Sequence, residues 1–184
     1  YISQGSSTEV TVEADENLHD IIITEVNKGV LRIYSDQNIW RAKSRKVYVT
    51  VENLEALKAT SGSDVYTKET IKVNDIEISA TSGADIKMDL DANTVATSAT
   101  SGSDIKVSGV ANNHTSSATS GASIDAYNLQ SKNVTVKVSS GADINIYASE
   151  SISAKASSGG DIDYKGSPKK VSKKSSSGGD ISAK

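Results

Sequence analysis

The stretch Thr-Ser-Gly-Ala-Asp-Ile at residues 81–86 decides the fold, because close copies of it recur along most of the chain. Its glycine, which we call the turn glycine, returns at residues 62, 83, 102, 121, 141, 159 and 178, at intervals of 18 to 21 residues. A regular period of this length is the sequence signature of an architecture in which each repeat packs only against its neighbours.

Apolar and polar residues alternate around each turn glycine. The third residue after it is always Val or Ile: Val65, Ile86, Ile105, Ile124, Ile144, Ile162 and Ile181. Polar residues such as Lys106 prevail at the fourth position, and apolar residues such as Val107 are common at the fifth. Apolar residues also recur three, five and seven positions before the glycine. A period of two indicates strands with one buried face, so each repeat predicts about two strands separated by a Ser-Gly turn.

These short, β-branched segments with a glycine in every repeat exclude a helical fold. The Leu-x-x-Leu-x-Leu pattern of leucine-rich repeats is missing. The sequence therefore predicts an all-β protein, with a parallel β-solenoid of about seven coils over residues 59–184. With strands about 4.8 Å apart, seven coils span roughly 30 Å. We expect a right-handed coil, because parallel crossover connections usually have that hand; a left-handed hexapeptide solenoid, with about 18 residues per coil, is the alternative.

The composition fits a narrow stack. Aromatic residues make up 4% of the chain, and Cys and Phe are absent, whereas hydrophobic residues still reach 36%. Without Cys there is no disulfide framework and no thiolate metal site. A net charge of −3 argues against a nucleic-acid partner. No run of about 18 apolar residues occurs, so we expect no transmembrane segment.

Residues 1–58 lack the repeat but are also rich in strand patterns. Strands are predicted at 10–12 and 21–23, and the segments 19–26 and 30–34 flank the turn Asn27-Lys28-Gly29 as the arms of a hairpin. Residues 46–51 alternate cleanly. The first coil of a solenoid has an open edge that must be covered, so we expect this segment to be an N-terminal β cap.

The last repeats are interrupted by Tyr-Lys-Gly-Ser-Pro at 164–168, after which Lys169, Lys170, Lys173 and Lys174 follow. Proline and charge protect a sheet edge from pairing with another chain. The alternative is a basic patch for anionic glycans or lipid headgroups.

Together these segments resemble the head GIN domain family of auto-transporter adhesins from Gram-negative bacteria. The resemblance rests on Asn17-Leu18 before the 21–23 strand, on the strands at 29–33 and 47–51, and on the serial Ser-Gly-x-Asp turns. The segment at 164–168 adds to it, whereas Glu52 stands where the family usually has proline. The resemblance implies a β-solenoid with an N-terminal cap, exported to the cell surface, outer membrane or periplasm, without a catalytic motif.

Signals for catalysis are weak. The only histidines are His19 and His114, and no Cys is present. Two outward carboxylates, Asp161 and Asp163, would lie about 7 Å apart on one strand, which is a spacing open to acid–base chemistry. Such a pair alone is a weak signal for a site. We expect no enzyme activity, no catalytic residues and no cofactor.

Aspartates recur two positions after the turn glycine: Asp64, Asp85, Asp104, Asp143, Asp161 and Asp180. The favoured interpretation is that each carboxylate accepts backbone N–H bonds at the turn. Calcium-binding repeats also stack Gly-x-Asp motifs, but with a period of nine residues, and Ser123 interrupts the row here. We therefore predict no metal site.

Two outward surfaces are candidates for binding. Ser79 and Thr81 begin a hydroxyl strip that continues on the next two coils, and such strips occur in ice and sugar binders or simply as solvated strand faces. Tyr127 and Tyr147 lie six positions after their glycines and should stack on adjacent coils, with Tyr66 two positions off. Exposed aromatic residues suit glycan or protein contacts, and a purely stabilising row is the alternative.

The sequence thus predicts a non-enzymatic, exported, adhesin-like β-solenoid that binds glycan or protein partners through a repetitive surface. Tyr66, Tyr127 and Tyr147 are its candidate binding residues. Two alternatives stay open: a structural scaffold of the cell envelope without a ligand of its own, and a carbohydrate-active β-helix enzyme.

Overall fold

A computed structural model describes all 184 residues. Strands hold 67% of the chain, and no α-helix is present. The contacts divide the chain into two units, Tyr1–Glu52 and Asn53–Lys184. The division lies six residues before the end of the predicted cap at 58, because β6 (Ala56–Ala59) already pairs with a solenoid strand. The cap role of residues 1–58 and the right-handed coil stay predictions.

The first unit contains a three-stranded sheet and a hairpin. The sheet has the order β1–β5–β2, with β1 at Ile2–Gln4, β2 at Glu9–Ala14 and β5 at Arg45–Val51. A single 3₁₀ turn spans Glu16–Leu18. The hairpin pairs β3 (Ile22–Asn27) with β4 (Val30–Ser35), as predicted. Lys28 and Gly29 at its tip both have positive φ, which is the backbone that two-residue hairpin turns require.

The second unit is the parallel β-solenoid of about seven turns that the repeat predicts. Successive strands pair in parallel with equivalent residues opposite each other; Ile86, for example, pairs with Ile105, which pairs with Ile124. The strands after β6 are β7 (Asp64–Tyr66), β8 (Ile71–Thr81), β9 (Asp85–Thr100), β10 (Asp104–Thr119), β11 (Ser123–Val138), β12 (Asp143–Ala156), β13 (Asp161–Lys165), β14 (Lys170–Ser175) and β15 (Asp180–Ala183).

Each central coil forms one continuous strand of 14 to 16 residues rather than the two short strands expected. The parallel pairing continues along nearly the whole of each central coil, so only the Ser-Gly turns separate β9, β10, β11 and β12. The alternation places Ile, Val and Ala inside. Ile105, Ile124, Ile144 and Ile162 are at most 1% exposed and form the predicted spine.

The Ser-Gly turns of successive coils are hydrogen-bonded to each other, as the strands are. The Ser and the Gly of every turn both have positive φ, as at Ser120 and Gly121. The turn glycine then donates its N–H to the serine carbonyl of the next coil; Gly83 N, for example, lies 3.2 Å from Ser101 O. Glycine adopts this left-handed conformation without steric cost, which explains why it recurs once per coil.

The last coil carries a lysine at an inward position. Lys173 pairs with the buried Ala154 in the preceding coil. Its Nζ lies 4.5 Å from the ring centroid of Tyr164 and 3.4 Å from the carbonyl oxygen of Ile181. An inward charge at this point opposes further strand addition, in line with the predicted edge protection.

The first unit leaves several apolar side chains largely exposed to solvent. Val26 and Val30 beside the tip of the hairpin are 71% and 59% exposed. Trp40, in the segment between β4 and β5, is 90% exposed.

Because Trp40 is the only tryptophan, its fluorescence reports the state of this surface. We expect the native protein to emit at the long wavelength of hydrated indole and iodide to quench it nearly as well as a free tryptophan amide. Urea should then change the spectrum very little. A blue-shifted emission that iodide cannot quench would show that another chain or segment covers Trp40.

Candidate functional site

The solenoid presents two outward faces, on which equivalent positions of successive coils form columns. The tyrosine face consists of the second, fourth and sixth residues after each turn glycine, such as Asp125 and Tyr127. The hydroxyl face consists of the eighth, sixth, fourth and second residues before it, such as Asn113, Thr115 and Ser117. Both faces follow from the period-two alternation, which turns every second side chain to solvent.

The structure brings two of the three predicted tyrosines to adjacent coils. Tyr127 and Tyr147 lie on β11 and β12 and are half-buried. No ring contact joins them, so the predicted stack is not formed. The strands lose regular register just here, between Ala126 and Ser131. Tyr66 belongs to the neighbouring column, where it pairs with Lys87, three coils before Tyr127.

A lysine covers the ring of Tyr127 instead. Lys165 Nζ lies 4.1 Å from the ring centroid, which is cation–π geometry. Lys165 pairs in register with Tyr147, so it reaches across two coils. Burial, with the charges of Asp163 and Asp125, raises the pKa of the Tyr127 phenol. The two rings and this lysine therefore form one mixed aromatic and charged patch.

The aspartate column is present but does not cap the turns. Asp64, Asp85 and Asp104 lie in register and turn to solvent. Backbone and serine groups close the turns; Ser103 Oγ, for example, donates to Thr100 O at 2.9 Å. Partial burial and the charges of Asp104 and Asp64 raise the pKa of Asp85. The expectation that these carboxylates accept turn N–H bonds is therefore wrong.

The carboxylates do not converge as metal ligands either. No group of three or more His, Asp or Glu side chains could hold a metal ion. Asp163, half of the pair considered for acid–base chemistry, forms an ion pair with Lys184 at 3.2 Å.

The hydroxyl face is a regular array of small polar groups. Its predicted strip is in register, with Ser98 opposite Ser117 and their hydroxyls 3.4 Å apart. Asn133 bridges two coils, because it donates to Asn113 Oδ1 at 3.4 Å and its own Oδ1 accepts from Ser151 Oγ at 2.8 Å. These bonds fix the side chains that line a shallow groove of about 490 Å³ across four coils.

Lysines occupy the last three coils of this face. Lys137 pairs with Lys155, and Lys155 pairs with Lys174. All three are exposed, and Lys170 lines the groove beside them. Sequence reasoning treated only the terminal lysines as a patch and missed this column, although counting back four positions from each turn glycine would have found it.

A polar cluster lies inside the solenoid. His114 occupies an inward position at 1% exposure, between Val95 and Val134 of the adjacent coils. Its Nε2 lies 2.9 Å from Thr97 Oγ1, which donates to Ser116 Oγ at 2.9 Å. Burial lowers the pKa of His114 to about 4. All three side chains are buried, so the cluster belongs to the core, and His114 also lies next to the groove of the hydroxyl face.

Comparison with known proteins agrees with this architecture. A putative adhesin from Bacteroides fragilis has a similar structure, with a TM-score of 0.94 and 22% identity over 100% of this chain and 87% of that one. A putative lipid binding protein from Parabacteroides distasonis gives 0.80 and 21%, with coverage of 100% and 87%. A putative adhesin from Parabacteroides merdae gives 0.74 and 19%, with coverage of 100% and 88%. Identities this low show a shared fold.

No curated protein matches the sequence. No α-helix of the structure could cross a bilayer. The model of one family, described as "Putative auto-transporter adhesin, head GIN domain", matches residues 1–168. That match covers most of the sequence and includes both the strand-rich first unit and six of the seven turn glycines. The chain therefore belongs to this family, the head GIN domain family.

Proposed function

We propose that this protein is a non-enzymatic, exported adhesin that binds glycan or protein partners through repeated, shallow contacts along the outer faces of its solenoid. The observation that carries the proposal is the register. Because equivalent residues lie opposite each other on successive coils, each outward position becomes a column along the solenoid, and parts of some columns repeat one group, such as the serines at 79, 98 and 117. Such columns can make many weak contacts with one ligand at once. After the first contact forms, the other groups of the ligand are held at a high effective concentration, which raises the total affinity.

The outer faces have the chemistry for this role. The hydroxyl face offers hydroxyl and amide groups that hydrogen-bond sugars, and the tyrosine face offers the rings of Tyr127 and Tyr147. An aromatic ring supplies a large apolar area at low entropic cost. Family membership supports the same role. Tyr66 stands apart from the two other tyrosines and would act as a separate contact.

The test is an array of glycans and matrix proteins probed with wild type and with the double variant Tyr127→Ala/Tyr147→Ala. We expect wild type to bind at least one class of ligand and the double variant to lose about tenfold in affinity, since two aromatic contacts are removed. Tyr34→Ala is the control, because Tyr34 is exposed on the hairpin of the other unit. Wild type that binds nothing would favour a structural scaffold.

Export is tested separately, by protease treatment of intact cells. Cleavage of the protein on unbroken cells supports a position on the surface. Cleavage only after the outer membrane is opened would place the protein in the periplasm and remove its access to partners outside the cell.

A further inference from the structure

The column formed by Lys137, Lys155 and Lys174, which we call the lysine column, destabilises the sheet by charge repulsion, and the fold itself does not explain why lysines stand there. The three side chains are exposed and lie directly opposite each other on successive parallel strands, which are spaced about 4.8 Å apart. Like charges in directly opposed positions destabilise a sheet. None of the ion pairs in the protein involves these lysines, so no carboxylate offsets the repulsion.

The fold does not require lysine at this position. The same column carries Ser79, Ser98 and Ser117 on the preceding three coils, where the strands pair with the same register. Edge protection does not account for the column either. Lys137 lies on β11, which is paired on both sides by β10 and β12 and is therefore no edge.

A polar groove adjoins the column. The groove of about 490 Å³ runs over the same coils, lined by Asn113, Asn133 and Ser151 and, in the last coil, by Lys170. The hydrogen bonds between Asn133 and its neighbours hold this lining in place. The exposed ammonium groups thus lie beside fixed hydroxyl and amide groups along the direction in which the coils stack.

We infer that this part of the hydroxyl face binds a linear acidic polysaccharide, which lies along the stacking direction with its anionic groups on the lysine column. One cation per coil matches a polymer with a regularly repeated negative charge. Polar groups in the groove would hydrogen-bond the sugar hydroxyls. The outward positions here contain no aromatic ring on which a nucleic-acid base could stack, which favours a polysaccharide over a single-stranded nucleic acid.

This inference rests on the proposed function and names the ligand class for one face. The probe is polygalacturonate, and the matched neutral probe is the same polymer with its carboxylates methyl-esterified. The test variant is Lys137→Ser/Lys155→Ser/Lys174→Ser, which installs the serine that three other coils already carry. The control Lys28→Ser/Arg41→Ser/Lys43→Ser removes the same charge from exposed positions of the first unit, outside both faces of the solenoid. Thermal melting checks that both variants fold.

We expect wild type to bind polygalacturonate, to lose that binding as salt is raised, and to bind the esterified polymer much more weakly. The test variant should lose about tenfold in affinity and the control should not. Equal loss in both variants would overturn the inference, because net charge alone would then explain the binding. Tighter binding to vesicles of phosphatidylglycerol, lost in the test variant, would overturn it in favour of a lipid surface.

The two proposals fail in different ways. If wild type binds other glycans or proteins on the array but not polygalacturonate, the lysine inference is wrong and the adhesin proposal stands. If wild type binds no ligand in either experiment, both are wrong.

Discussion

Gly109→Ala is expected to lower the free energy of unfolding by about 4 kcal/mol, the sum of a strained backbone and a steric clash. Gly109 has a φ of +108°, in the region that side chains rarely adopt. A Cβ built there would lie 1.9 Å from the carbonyl oxygen of Leu90 in the preceding coil. Leu90 is fully buried and paired, so its backbone cannot retreat without breaking the stack.

The matched control is Gly121→Ala, at a turn. Gly121 also has positive φ, but a Cβ there would meet nothing within 4 Å. We expect this variant to lose only about 1 kcal/mol, which is the cost of a left-handed residue alone. Urea unfolding of both variants measures the difference. Equal losses at the two sites would show that the coils do not approach each other at Gly109 as closely as the structure has them.

The second large effect concerns pH. The single hydrogen of Thr97 Oγ1 goes to Ser116, so the contact between Thr97 and His114 requires Nε2–H of the imidazole as donor. The other ring nitrogen, Nδ1, is then unprotonated, and it is buried without a partner. Burial lowers the pKa of His114 to about 4, and a proton on Nδ1 would in addition become a buried donor with no acceptor.

The pKa of His114 is lower in the folded state than in the unfolded chain. Its contribution to the free energy of unfolding is therefore fully present above about pH 6.5 and is lost as the pH falls toward 4. Relative to His114→Gln, which does not titrate, wild type should lose about 2 kcal/mol of unfolding free energy between pH 7 and pH 5. The raised pKa of Asp85 acts with the opposite sign but is shared by both proteins. Parallel pH profiles in urea unfolding would contradict a neutral, buried His114.

The fold was largely predictable because one signal repeats. A single strand of alternating residues is ambiguous, but seven copies with Ile or Val at the same place leave one arrangement that buries them all. What sequence reasoning missed are positions where one coil departs from the pattern. His114, Thr97 and Ser116 occupy inward columns that hold Val, Ile or Ala on most other coils, and their polarity gives no sign of that burial.

Gly109 and Gly166 were missed for a related reason. Each lies seven positions after a turn glycine, inside or just after a strand. A Cβ built on either glycine would lie about 2 Å from a carbonyl oxygen of the preceding coil. A glycine within a strand pattern is a known sign of such close approach. The tyrosine stack failed because period counting assumes constant register, and the register shifts directly after Ala126.

The candidate site could be predicted only as a surface. Alternation placed Tyr127, Tyr147 and the hydroxyl strip outside correctly, because it needs no tertiary information. The role of the aspartates at the turns was misinterpreted because an aspartate close to a turn glycine commonly accepts a hydrogen bond from a nearby backbone N–H. Here carbonyl groups of the adjacent coils accept from those N–H groups instead, as Ser63 O does from Asp85 N. The groove beside the lysine column depends on how the strands bend, which the period does not specify.

Repeated contact along the solenoid is tested most directly by measuring how affinity depends on ligand length. Galacturonate oligomers of increasing length, titrated calorimetrically into wild type, should bind more tightly with each added unit until the oligomer spans the lysine-bearing coils, and no further after that. A monomer or dimer that binds as tightly as the polymer would mean a single pocket and would contradict binding through the repetitive face.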